Sequence, residues 1–129
     1  MTNEPVDKLY GTPMSVVIAR VPNELPRDAV GLWQIVPAGM LRFDLSGVAL
    51  IDYVRRNIDA LLDAGAVPVV AGTGTSYEWV RRIDLGSTRQ QIADGVIAEW
   101  QRIGNDPGDL AGSIWFARPR PGQMYVKMD

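Results

Sequence analysis

The segment VALIDYVRRNIDALLDAG, residues 48–65, is the tightest constraint on how this chain folds. Leu50, Ile51, Val54, Ile58, Leu61 and Leu62 recur at spacings of one, three and four, which lines them along one face of an α-helix. A helix of this length holds in water mainly by burying such a stripe, so the rest of the chain must supply an apolar layer to cover it. Ser46 stands where an N-cap is expected, and Gly65 where the helix would end on a residue of positive φ. VPVVA, residues 67–71, then reads as a short buried strand.

A second helix is expected behind STRQ, with Ser87 as N-cap and Gln90 three residues on as its capping-box partner. Ile92, Ala93, Val96, Ile97, Trp100 and Ile103 form its apolar face, and Gly104 ends it. The remaining apolar segments are short and read as strands. SVVIARV (15–21) is rich in β-branched residues. GLWQIV (31–36) and MLRFDL (40–45) flank the turn signal PAG and suggest a hairpin, with Leu41, Phe43 and Leu45 alternating against Arg42 and Asp44. YEWVRRIDL (77–85), SIWFAR (113–118) and QMYVKM (123–128) complete the set, while 22–28 and 105–109 read as loops.

The order βββαββαβ(β) predicts an α+β fold: a mostly antiparallel sheet of about five to seven strands, two helices packed on one face and the other face open. A chain of 129 residues suits one domain. Residues 1–13 are expected as a flexible lead-in and 14–129 as the single domain.

Composition narrows the chemistry. The chain has no cysteine and no histidine. Thiolate catalysis, disulfides, cysteine-held metal centres, histidine ligation and a histidine general base are therefore unavailable. A formal charge of −2 argues against nucleic acid as the partner. No apolar run is long enough to span a bilayer, and the polar start MTNEPVDKLYGTP does not read as a signal peptide, so a soluble cytoplasmic protein is expected. Eleven arginines against two lysines, with much Ala, Gly and Val, suggest a GC-rich bacterial source.

Four features invite a functional reading. AGTGTS (71–76) resembles a phosphate-cradling loop, but Tyr77 stands where a third glycine or a Walker lysine would be needed, and the following period is that of a strand; a hairpin turn is expected. Asp52, Asp59 and Asp63 share a helix side with Arg55 and Arg56, at spacings that suit i,i+4 pairs on a solvated face. The doublet Arg81–Arg82 lies on a strand, so its members point to opposite faces and do not form one patch. Trp33, Trp79 and Trp115 lie on expected strands, where tryptophan is either core or an interface anchor.

The expectation is a small non-enzymatic binding protein, most concretely an immunity-type protein that binds and neutralises a cognate toxin. The expected partner contacts are Glu78, Trp79, Arg81, Arg82, Asp106 and Asp109. No catalytic residue, cofactor site or metal ligand is assigned. The alternative is a small-ligand protein or carboxylate-dependent enzyme with a pocket between sheet and helices, drawing on Asp44, Tyr53, Glu78 or Glu99. A homodimer paired through an edge strand at SIWFARP or QMYVKM is a third reading.

Overall fold

The structure, a computed structural model, describes residues 4–120 and 124–125. The fold is α+β, but its balance differs from expectation: among the described residues five α-helices stand against a small sheet. The elements are α1 (Met14–Arg20), β1 (Val30–Gly31), α2 (Leu32–Arg42), α3 (Gly47–Asp63), β2 (Val67–Ala71), β3 (Trp79–Arg81), α4 (Arg89–Ile103), α5 (Pro107–Ala111), β4 (Trp115–Ala117) and β5 (Met124–Tyr125), with 3-10 turns at Val21–Glu24 and Ile83–Leu85. The strands lie in the order β1-β4-β2-β3-β5; the first four are antiparallel, and β5 joins β3 in parallel.

Both helices read from periodicity are present. α3 buries Leu50, Val54, Ile58 and Leu61 as expected, together with Tyr53 and Asn57. Ser46 occupies its N-cap position without a side-chain cap bond, and Gly65 has φ +91°. α4 is capped one residue later than expected: Thr88 Oγ1 accepts from Gln91 N at 3.1 Å, and Gln91 Oε1 accepts from Thr88 N at 3.2 Å. Gly104 ends it at φ +92°.

Three expected strands are helices instead. Residues 15–21 lie mostly in α1, where Met14, Val17 and Ile18 turn inward at spacings of three and four. The expected hairpin over 31–45 is β1 followed by α2, with Leu32, Ile35, Val36 and Gly39 as its buried face. Pro37 lies inside α2 rather than in a turn; the chain reverses at Asp44, which takes φ +54°. The loop expected at 105–109 contains the start of α5, whose N-cap Asp106 accepts from Gly108 N and Asp109 N. The strand expected over 77–85 is regular only at Trp79–Arg81. Of QMYVKM, Met124 and Tyr125 pair with β3, and the rest lies outside the described residues.

Strand pairing sorts side chains between two faces, because residues directly opposite on neighbouring strands point the same way. Val30, Pro68, Val70 and Phe116 share the face on which the helices pack, and Phe116 and Val30 join their core. Gly31, Trp115, Ala117, Val67, Val69, Trp79, Arg81 and Met124 share the other face. There Val69 and Ala117 form a small second cluster with the two tryptophans and Met124. Among the described residues, one face is therefore covered by helices, and the other carries only this thin cluster.

Residues 4–13 fold back onto the end of α2. Val6 bridges Pro13, and Lys8 N donates to Arg42 O at 3.0 Å. Asp7 is 1% exposed and accepts from Leu9 N at 2.8 Å and from Arg42 Nε at 2.8 Å. The Arg42 hydrogen bonds hold the Asp7 carboxyl below its ordinary value of 3.8. A carboxyl lowered in the folded state stabilises fully above its ordinary value and loses that contribution as pH falls through the folded one. Asp7→Asn is therefore expected to lower the urea midpoint at pH 7 and to flatten its decline below the ordinary value. Urea melts stepped from pH 7 to pH 2 check this; parallel curves for the two proteins would mean that Asp7 carries no such linkage.

Candidate functional site

The uncovered sheet face is organised by a glycine. Gly31 lies opposite Trp115, and a Cβ built on it would come within 2.7 Å of the Trp33 ring and 2.9 Å of the Trp115 ring. Its φ of −104° is open to any residue, so what the position requires is space. Two indoles occupy that space. Trp33, in the first turn of α2, meets Trp115 with ring centroids 6.1 Å apart, and Trp115 meets Trp79 at 5.5 Å. Both pairs are tilted, within the range where aromatic pairs attract beyond their area burial. The result is a continuous row, Trp33–Trp115–Trp79, running from α2 across β4 towards β3.

The row is anchored at its centre and open at its ends. Trp115 Nε1 donates to Ala111 O at 2.9 Å, which fixes the middle indole against the end of α5. Among the described residues, neither Trp33 Nε1 nor Trp79 Nε1 has a hydrogen-bond partner, and Trp33 is 39% exposed. Arg81 stands on the same face, opposite Val69, which is in turn opposite Trp115. Its guanidinium has no ion pair among the described residues, so an unneutralised cation lies beside the indoles.

Beyond the Trp79 end is a cleft of about 200 Å³. Its charged lining includes Arg27, Arg118 and Arg120 with Asp28 and Glu78. Arg118 Nε donates to Ala64 O at 3.0 Å and Arg120 Nη2 to Leu25 O at 3.1 Å, so both are held by backbone carbonyls, and neither is neutralised by a carboxylate among the described residues.

The six expected contact residues divide. Trp79 and Arg81 are together on the uncovered face, and Glu78 lines the adjoining cleft. Arg82 turns towards α4: it makes two 2.9 Å bonds to Asp84 and bonds of 2.9 and 3.0 Å to Glu99. These carboxylates raise the Arg82 pKa, and the arginine in turn holds Asp84 down. Asp106 caps α5, and Asp109 is exposed in its first turn. The structure does not bring Arg82, Asp106 and Asp109 into the indole row. Trp33, Trp115 and Gly31 belong to it without having been among the expected contacts. The signal available in the sequence was Gly31 two residues before Trp33, with Trp115 alternating against the buried Phe116.

AGTGTS forms the β2–β3 hairpin connection. Gly72 N donates to Glu78 O at 2.8 Å, and the Thr75 hydroxyl donates to Gly72 O at 2.6 Å and accepts from Tyr77 N at 3.1 Å. Gly74 supplies a φ of +81°. The loop leads into a strand, without the helix N-terminus that would aim amides at a phosphate. The i,i+4 pairs expected along α3 do not form: among the described residues Asp52 and Asp59 make no ion pair, Arg55 bonds Asp94 of α4 at 2.7 Å instead, and Asp63 pairs with Arg89. Of the groups weighed for acid–base chemistry, Glu99 is held by Arg82, Asp44 pairs with Lys8, and Tyr53 is buried, which pushes its phenol up.

The chain matches no family model, no curated protein and no solved structure. Its function is therefore read from this geometry. Among the described residues no helix is long and apolar enough to cross a membrane.

Proposed function

We propose that this chain is a non-enzymatic binding protein that captures another protein on its uncovered sheet face, most concretely as an immunity-type protein that blocks a cognate toxin in the bacterial cytoplasm. The observation that carries the reading is the Trp33–Trp115–Trp79 row. Tryptophan and arginine are the residues most often found at binding hot spots. Here three indoles are aligned on a sheet, with Arg81 beside them and two indole N–H donors unused. The ordering cost of such a surface is low, because Trp115 is already fixed by Gly31 beneath it and Ala111 behind it.

The charges suit a partner that presents carboxylates around an apolar centre. Arg81 and the cleft arginines would meet those carboxylates, while Asp28 and Glu78 would pair with a cation at the rim. Such pairs speed encounter and fix register more than they add affinity. The immunity reading adds the wider profile of the chain: small, mildly acidic, and without the cysteine or histidine that most hydrolytic chemistry uses.

The test is co-expression with the product of each flanking gene, followed by growth and co-purification. The reading expects one neighbour that is toxic alone, harmless with this chain, and eluted with it as one species. If a partner co-purifies without toxicity, the binding reading stands and the immunity role falls. If no neighbour is toxic or bound, the immunity reading is abandoned.

A further inference from the structure

A second site lies away from the indole row, between α1, α2 and α3. It is a pocket of about 170 Å³ whose apolar walls include Val17, Val21, Ile35 and Ala38. Tyr53 of α3, 1% exposed, lies at its floor, and Glu24, in the 3-10 turn after α1, lies exposed at its rim. The Tyr53 ring is fixed in place: its centroid is 5.6 Å from that of Phe43, and Gly39 of α2 leaves room for its edge. Its hydroxyl makes no hydrogen bond among the described residues. A buried tyrosine usually finds a partner for this group, and phenylalanine would fill the same space without leaving one open. Burial raises the phenol pKa, so the hydroxyl stays protonated and can both donate and accept.

The charges of the lining do not cancel. Arg42 is neutralised by Asp7, whereas the Glu24 carboxylate has no ion pair or hydrogen bond among the described residues. Gln34, also at the rim, is neutral, and its Oε1 accepts from Gly31 N at 2.9 Å. Arg20 lines not this pocket but the wider hollow outside it, beside Tyr10 and Thr12. It does not pair with Glu24, because the 3-10 turn at Val21–Glu24 winds three residues per turn and takes the two out of α-helical i,i+4 register. The pocket thus has one uncompensated negative charge at its rim, one open hydroxyl at its floor and apolar walls between them.

We infer that this pocket binds a small aromatic primary amine with a polar group at its far end. The ammonium meets Glu24, the ring lies between the apolar walls, and the far group bonds the Tyr53 hydroxyl. An apolar cavity of about 150 Å³ admits benzene, so the inner space suits one such ring with its ammonium left at the rim.

Tyramine has this form, and three relatives each alter one feature of it. 4-Ethylphenol lacks the amine, phenethylamine lacks the hydroxyl, and 3-(4-hydroxyphenyl)propionate carries a carboxylate in place of the ammonium. Each is titrated into the ¹⁵N-labelled protein while backbone amide shifts are followed. Tyramine is expected to shift the amides of Val17, Ile35 and Tyr53 saturably. 4-Ethylphenol is expected to bind about fivefold more weakly at low salt, a gap that closes in about 0.5 M salt because a rim ion pair is screened. Phenethylamine is expected to bind about fivefold more weakly at any salt, since it covers the Tyr53 hydroxyl without bonding it. The propionate should be the weakest of the four. Glu24→Gln, at an exposed position, is expected to remove the preference for tyramine over 4-ethylphenol, and Tyr53→Phe the preference over phenethylamine. If tyramine gives no saturable shift, or either neutral or deoxy relative binds as well as it does, the inference fails. If the propionate binds more tightly than tyramine, the rim selects anions through Arg20 and the inference fails as well. A Glu24→Gln variant that keeps the amine preference would likewise overturn it. Should Tyr53→Phe not fold, the contrast between tyramine and phenethylamine on the unaltered protein still decides. None of these outcomes depends on whether a protein partner is captured on the sheet face.

Discussion

Replacing Trp33 and Trp79 together by alanine is expected to leave the fold standing and to weaken partner capture by about 100-fold or more. The two indoles are the open ends of the row, Trp33 exposed and Trp79 half-buried, and neither has its N–H engaged among the described residues. Their removal takes little from the main core, so the expected stability loss is about 1–2 kcal/mol. In a complex each would be an anchor. Truncation of such an anchor typically costs 2 kcal/mol or more, which is about 30-fold in affinity, and two such losses combine without being strictly additive. Trp115 is the wrong residue for this test, because it is bonded to Ala111 and stacked over Gly31, so its loss would disturb the fold as well. Asp52→Ala, on the exposed side of α3, serves as a control that should bind normally. Calorimetry with the co-purified partner reads the outcome; full affinity in the double variant would move the contact surface elsewhere.

Gly39→Val is expected to destabilise the protein by about 3 kcal/mol, near the top of the range for overpacking. Gly39 lies on the α2 face that meets α3, and a Cβ there would come within 2.8 Å of both Leu50 Cδ1 and Tyr53 Cδ2. Tyr53 has nowhere to retreat: it is 1% exposed, with its ring 5.6 Å from that of Phe43. Valine adds two further methyl groups beyond the Cβ, so α2 must lift from α3 or the tyrosine must leave its rotamer. The corresponding fall in melting temperature is about 10 °C. Gly39→Ala should cost much less, since alanine recovers about 1 kcal/mol of helix propensity against a smaller clash. Urea melts of both variants check the order; a valine variant as stable as the parent would mean that the two helices do not approach this closely.

This glycine also explains where the sequence misleads. Pro37 and Gly39 read as a turn because proline lacks an N–H and glycine favours turns. In the structure the helix runs through both. Pro37 merely leaves one carbonyl a turn back without its donor, and Gly39 is there to let Tyr53 in. The actual reversal is made by Asp44, whose short polar side chain tolerates positive φ better than most, but whose place in the alternating run MLRFDL reads as mid-strand. α1 was hidden for a related reason: its β-branched residues favour a strand, and only their inward contacts make a helix the better solution. What periodicity could fix was α3, α4 and the face assignment on β3, because a long stripe and strand alternation leave few alternatives. Trp79 and Arg81 were legible as neighbours on one face. That Arg82 would be taken up by Glu99, 17 residues later, depended on how α4 docks, which no local pattern encodes.

The pairing of β1 with β4 carries a consequence for how this surface comes into being. Residues 30–31 meet residues 115–116, so the first strand waits for nearly the whole chain before it gains its neighbour. Long-range closures of this kind are slow, because loop entropy must be lost before any contact rewards it. During synthesis, Trp33 and Trp79 leave the ribosome well before Trp115, and until β4 inserts between β1 and β2 they have nothing to stack on. The indole row is thus a late product of folding. A chain that stalls or is cut before residue 115 would keep its helices' sequence and lose the indole row, so capture of the proposed partner is expected to report on completed assembly rather than on helix content.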